Sequence, residues 1–205
     1  MAKTEEKIRG RVGNTVFYRV GEETRVRGVA TNYEDPGTRE QQCCRSRLRV
    51  ATRFYQHLAG TLLKEVWRVA AGTGGNAFNY FMKVNMMVFK PNGKIGDFSR
   101  LQMTVGLLQK VNCLTASVDE DDRVTLTWEG FSGLPSARGD DRLMVVVLYG
   151  NRSFSPLLIE GIGATRQDGM STFQLNRKRG TAAHLYCFFG RKEGKAYSMS
   201  QHVRI

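Results

Sequence analysis

The sequence predicts an α+β protein in which an N-terminal β-hairpin with a helical hairpin precedes an antiparallel Ig-like β-sandwich. Three observations predict it. After residue 38 apolar residues recur at steps of three and four, as one face of a helix requires. Before it, Val12, Val16 and Tyr18 alternate with polar or small neighbours. From Gly96 onward, short β-like runs follow one another at breaks of about 8 to 12 residues, the spacing of a sandwich or barrel.

Taken in order, residues 11–30 form the hairpin. The segment Gly21-Glu22-Glu23 interrupts it, Arg25-Val26-Arg27-Gly28-Val29 resumes it, and the dense glycines suggest bulges or close backbone approach. The polar connection Tyr33-Glu34-Asp35-Pro36-Gly37 leads to Thr38-Arg39-Glu40-Gln41, a capping box with Thr38 as N-cap, so a helix begins near Arg39. Its stripe of Leu48, Ala51, Tyr55, Leu58, Leu62, Val66 and Ala70 continues for roughly seven turns, with Gly60 as a weak point and Gly72-Thr73-Gly74-Gly75 as its end. A second helix follows Asn76 with Phe78, Phe81, Met82 and Asn85 on related faces, and the helical pair is able to cover one side of the hairpin.

Eight strands are expected at 102–105, 113–118, 123–128, 142–149, 157–161, 171–175, 183–190 and 197–205. Val124, Leu126 and Trp128 alternate with threonines, and Tyr197, Met199 and Val203 alternate with Ser198, Ser200 and Arg204, so each such strand has one wet face. The turn signal Pro91-Asn92-Gly93-Lys94 divides a domain at 1–95 from one at 96–205.

Composition excludes several classes. Apolar residues are 41% and charged residues 24% of 205, a globular and not a disordered profile. The charged start, Met1-Ala2-Lys3-Thr4-Glu5-Glu6-Lys7, is unlike a secretory signal, and no run has the length of a membrane span; a cytoplasmic protein with no membrane partner is expected. Cys43, Cys44, Cys113 and Cys187 are too few for a disulfide scaffold and are read as reduced thiols. The net charge of +12 favours an anionic partner, whether nucleic acid or an acidic protein surface.

The candidate patch for such a partner is Arg39, Arg45, Arg47, Arg49 and Arg53 on the first helix, extended by Arg25 and Arg27 on the hairpin. His57, His184 and His202 lack neighbours at metal-ligand spacing, so neither a metal nor a cofactor is expected. Gly72–Asn76 and Gly161–Thr165 lack the Gly-Lys-Ser/Thr of a phosphate loop and read as turns. The run Asp119-Glu120-Asp121-Asp122 reads as a hairpin turn, and Arg138-Gly139-Asp140 as a loop. An enzyme would need the fold to unite His184, Tyr186, Ser198 and His202 in a deep pocket.

A set of motifs spread along the chain resembles the uncharacterised bacterial proteins grouped as the domain of unknown function 6266 family. It comprises Gly10-Arg11-Val12-Gly13-Asn14-Thr15-Val16-Phe17-Tyr18, Arg25-Val26-Arg27, Thr38 with Gln41 and Arg45, Asn76-Ala77-Phe78, and Lys83-Val84-Asn85. It continues with Leu101-Gln102, Gly106-Leu107-Leu108, Thr127-Trp128 and Tyr197-Ser198-Met199-Ser200. The chain departs from that pattern at Cys43-Cys44, where a small residue is usual, and after the arginine strand, where a proline is more often found. The resemblance implies a bacterial, phage or mobile-element origin and supplies no activity, cofactor or binding residue. The functional expectation is a non-enzymatic structural or interaction protein that binds a protein partner or a second copy. The alternative is a sequence-nonspecific nucleic-acid-binding protein using the arginine helix.

Overall fold

The structure is a computed structural model of the chain and describes residues 3–4, 8–29, 34–130, 133–178 and 180–205. Met1, Ala2, Glu5, Glu6, Lys7, Ala30 and Tyr33, which enter the sequence reading above, lie outside the described residues. Among those described, three α-helices and three antiparallel sheets make a mixed α+β fold. The chain divides into two compact units, Met1–Thr38 and Arg39–Ile205, and the turn at Pro91, where the sequence suggests a boundary, lies inside the second.

The first unit is a sheet of β1 (Lys3–Thr4), β2 (Gly10–Val12), β3 (Thr15–Val20) and β4 (Glu23–Gly28) in the order β1-β4-β3-β2. The expected hairpin is its β3–β4 pair, with Thr15 opposite Gly28 and Val20 opposite Glu23. A further turn at Gly13-Asn14 separates β2 from β3 where the alternation reads as one strand. Gly13 has φ 57°, so it supplies a two-residue hairpin turn and not the bulge its density suggests.

In the second unit, α1 (Arg39–Gln56) starts where the capping sequence places it. The single long helix of the sequence reading is, however, two. The chain leaves α1 in a tight turn with His57, Leu58 and Ala59 amides bonding three residues back, passes Gly60 at φ 78°, and enters α2 (Leu62–Ala71). That φ is one a Cβ disfavours, so Gly60→Ala is expected to cost about 1 kcal/mol, read from the urea midpoint. A stabilised variant would mean that the break is set by Thr61 instead, whose hydroxyl donates to the Leu58 carbonyl at 2.7 Å.

The third helix, α3 (Ala77–Asn85), begins as expected after Asn76, whose Oδ1 accepts the Phe78 and Asn79 amides at 2.9 and 3.2 Å. The break in α1–α2 turns the apolar face. Ala51, Phe54, Leu58, Leu63, Val66 and Trp67 are buried, while Leu48 of the expected stripe is exposed.

Seven strands follow in two sheets: β11 (Gln201–Arg204), β10 (Ala183–Gly190), β7 (Arg142–Tyr149) and β8 (Leu157–Leu158) in one, and β5 (Thr115–Val118), β6 (Arg123–Thr127) and β9 (Met170–Gln174) in the other. The two central strands of the larger sheet explain its position. On β7 and β10, Leu143, Val145, Val147, Leu185, Cys187 and Phe189 meet Val124 and Leu126 of the smaller sheet and Trp128 just after β6. Their alternate residues Val146, Leu148, Tyr186 and Phe188 join Phe54, Trp67, Phe81 and Phe89 in a separate core under the helices. The larger sheet is therefore a middle layer covered on both faces, and for that reason β7 and β10 are continuous apolar runs and not alternating ones. The helices cover this sheet.

Two expected strand features are corrected. Residues 102–105 are not a strand, and along 197–200 the buried residues are Tyr197, Ser198 and Ser200 while Met199 is exposed, the reverse of the serine-out alternation. Both follow from one strap of polar bonds. Asn85, fully buried, accepts the Gln102 amide at 2.8 Å and donates Nδ2 to the Gln102 carbonyl at 3.0 Å. Ser200 Oγ accepts the Met103 amide at 3.0 Å, and Thr104 Oγ1 donates to the Ser198 carbonyl at 2.8 Å. Side chains thus bond the backbone of Gln102 and Met103, and the Ser200 amide bonds the Thr104 carbonyl at 3.2 Å, in place of a sheet ladder.

Candidate functional site

The expected arginine patch is distributed over both units. In the first, Arg25 and Arg27 alternate on β4 and share a face with Tyr18. Arg25 is forked on Glu23 at 3.1 and 3.3 Å, and the Arg27 guanidinium lies 5.8 Å from the Tyr18 ring centre. In the second unit α1 carries Arg39, Arg45, Arg49 and Arg53, all exposed. Arg47 does not join them. It lies seven residues before the buried Phe54 and so on nearly the same helical face. Its Nε donates to the Phe89 carbonyl at 3.0 Å and its Nη1 reaches Met87 Sδ at 3.7 Å. The helix therefore presents Arg45, Arg49 and Arg53 at steps of four, with Arg39 a turn and a half before them.

A second cationic cluster, which sequence reading misses, is buried. Asp141 follows directly on the Arg138-Gly139-Asp140 loop, and its side chain is fully buried between two arginines. Oδ2 accepts Arg166 Nε at 3.2 Å and the Arg138 amide at 2.9 Å, while Oδ1 accepts Arg191 Nη1 at 2.8 Å. Arg166, itself only 2% exposed, donates Nη2 to the Gln109 carbonyl at 2.8 Å, and its guanidinium lies 3.9 Å from the Phe189 ring centre. Burial pulls the Arg166 pKa down from its ordinary value and the bond to Asp141 opposes that pull. Spacing gives no hint of this cluster, since its carboxylate and its two cations come from three different parts of the chain. What it does is join the loop before β7 to the turn before β9.

The third polar group is aromatic. His184 Nδ1 and His202 Nε2 are 2.9 Å apart, one ring donating to the other, and Phe98 stacks on His184 with ring centres 3.8 Å apart. Tyr186, from the same face of β10, donates its hydroxyl to the Phe98 carbonyl at 2.9 Å. Ser198 is not part of the group: its Oγ accepts the Phe189 amide and donates to the Met199 carbonyl. His184 is buried under Phe98, so this is a packed cluster and not a deep cleft.

The histidine pair makes stability depend on pH. Burial first, then His202 and Arg204, lower His184 from 6.5 to about 4. Burial and Arg204 lower His202 also, with Asp97 opposing them. Both rings take up protons more readily unfolded than folded; the His184 contribution is complete above about 6.5 and falls as pH drops toward about 4, and that of His202 falls in the same direction. Urea midpoints across that range are expected to fall with pH, and His184→Gln to flatten the fall. An unchanged slope in the variant would place the acid sensitivity elsewhere.

Cys187 is buried in the core between the sheets, where burial pushes its thiol up to about 12, and Cys43, Cys44 and Cys113 are free thiols nearer the surface. The run at Asp119 is the hairpin turn expected: Asp119 Oδ1 accepts the Asp121 and Arg123 amides, and Asp122 pairs with Arg177 at 2.7 Å. No described helix is long and apolar enough to cross a membrane.

These features define a mixed α+β chain whose buried polar groups hold its layers together. It matches the family described as "Family of unknown function (DUF6266)" over residues 7–203, and it belongs to that family. No curated protein is a significant match. Within the matched span the motif residues have visible tasks. Asn76 caps α3, Asn85 pins Gln102, Trp128 Nε1 donates to the Arg166 carbonyl at 2.9 Å, and Gly106 lies against the Tyr197 carbonyl.

Proposed function

We propose that this chain is a non-enzymatic interaction protein that acts in the cytoplasm. One observation carries the reading: the polar groups that the fold clusters together are engaged in folding. His184 bonds His202, Tyr186 holds the Phe98 carbonyl, Ser198 bonds two backbone groups, and Asp141 is shared by Arg166 and Arg191. A nucleophile or general base needs a free, accessible atom. The strand order of the two facing sheets, β11-β10-β7-β8 and β5-β6-β9, supports treating them as an Ig-like sandwich.

A second reading is favoured by α1 itself. Arg49 and Arg53 are exposed four residues apart and carry no ion pair among the described residues, an arrangement suited to successive phosphates on a nucleic-acid backbone. Light scattering during gel filtration, at low and high salt and with and without nuclease, separates the two. A monodisperse species free of nucleic acid supports the interaction reading. Nucleic acid that co-migrates at low salt, and is released by Arg49→Glu with Arg53→Glu, supports the second.

A further inference from the structure

The edge of the middle sheet has the features of a peptide-binding strand. Strand β8 is the outermost of its sheet and pairs only with β7. The Ile159 amide donates to the Val145 carbonyl at 2.9 Å, which turns residue 159 toward β7. In an antiparallel pair the alternate residues then turn their amide and carbonyl outward. Those residues are Leu158 and Glu160, and their main-chain groups make no hydrogen bond on that outer side among the described residues. Leu157 beside them is 47% exposed.

Two clefts flank this same edge, and both are lined by Leu158, Ile159 and Glu160. One, of about 660 Å³, opens toward Gln174 and Asn176 at the end of β9. The other, of about 410 Å³, opens toward Leu62 of α2. An added strand sends successive side chains to opposite faces, so it would fill the two clefts alternately.

Charge selects among extended peptides. Of the cations lining the clefts, Arg177 and Arg191 are held by Asp122 and Asp141. Arg152 and Lys178 in the first cleft, and Arg142 and Lys192 in the second, have no acidic partner among the described residues. Among the described residues Glu160 is the one carboxylate lining either cleft. The first cleft has the more polar lining and the second the more apolar one, with Leu62, Leu143, Met144, Ile162 and Tyr197, so a peptide alternating acidic and apolar residues suits the edge with its acidic face in the first and its apolar face in the second.

We propose that the outer edge of β8 accepts an extended, acidic peptide segment of a partner protein as an added strand, with main-chain bonds to Leu158 and Glu160, its acidic side chains on Arg152 and Lys178 of the first cleft and its apolar side chains in the second. This rests on the interaction reading and names the chemistry of the partner.

The test is fluorescence anisotropy of the full chain with a labelled peptide alternating valine and glutamate, against its valine–serine counterpart. The acidic peptide is expected to bind about tenfold more tightly than the neutral one at low salt. Binding should slow amide exchange at Leu158 and Glu160. Leu158→Pro, which removes an outward donor while leaving residues 157 and 159 bonded to β7, should abolish it. The surface variant Arg152→Glu with Lys178→Glu, which leaves the backbone untouched, should weaken it about tenfold. Equal binding of both peptides, binding indifferent to either variant, or full displacement by inorganic phosphate would overturn the proposal. Failure of both peptides to bind would overturn it too, while leaving the interaction reading to its own test of solution mass and bound nucleic acid.

Discussion

Replacing Asp141 by alanine is expected to lower folding stability by about 3–5 kcal/mol, because it leaves a buried guanidinium without its counter-charge. Arg166 cannot turn to water, since its side chain is 2% exposed and lies over Phe189. Arg191, at 12%, can move outward more readily, so the loss comes mainly from Arg166. The same reasoning gives the control. Asp141→Leu combined with Arg166→Met removes both charges and fills similar volume, and should recover most of what the single change loses. Urea unfolding of the three proteins decides the matter. A loss below about 1 kcal/mol in Asp141→Ala would mean that water reaches Arg166, and the cluster would then have no part in holding the loops before β7 and β9.

Gly106→Ala is expected to cost about 3 kcal/mol, at the upper end for overpacking. A Cβ there would lie 2.0 Å from the Tyr197 carbonyl oxygen and 2.8 Å from its carbon. Both are backbone atoms, so no side chain can swing aside and the two segments must part. The Leu108 amide bond to the Tyr197 carbonyl, at 3.1 Å, would part with them and loosen the strap held by Asn85 and Ser200. Gly163→Ala is the control, since nothing lies within 4 Å of its Cβ position. It should move the urea midpoint little, while Gly106→Ala should also speed exchange of the Leu108 amide. Equal effects at the two glycines would show that the close approach at Gly106 is relieved without cost.

Where local chemistry decides the structure, the sequence was readable. The capping signals at Thr38 and Asn76 mark helices that begin at Arg39 and Ala77, and the apolar runs at 142–149 and 183–190 are β7 and β10 to the residue. The alternation of Val124 and Leu126 with threonines is the half-buried β6. Reading failed where the deciding partner is far along the chain. Nothing near Gln102 says that Asn85 and Ser200 will satisfy its neighbourhood, and nothing near Asp141 announces Arg166 and Arg191. Ser198 and Ser200 look like wet-face residues because hydroxyls usually are; here their bonds to backbone pay for burial. Arg47 was legible after all. Its seven-residue offset from Phe54 puts it on the apolar side, a signal lost when arginines are counted without the helical wheel. The outer edge of β8 lay beyond sequence reading, since the run at 157–161 gives no sign that only two residues pair and that clefts open beside them.

The double-sided burial of β7 and β10 has a consequence for synthesis. Residues 39–85 leave the ribosome before β7 and β10, with an apolar face of Phe54, Trp67 and Phe81, yet the surface that covers this face includes Tyr186 and Phe188 of β10. Until β10 has emerged, the helical layer has no complete sheet to close on, so its aromatic face stays open to solvent or to a chaperone while residues 86–190 are made.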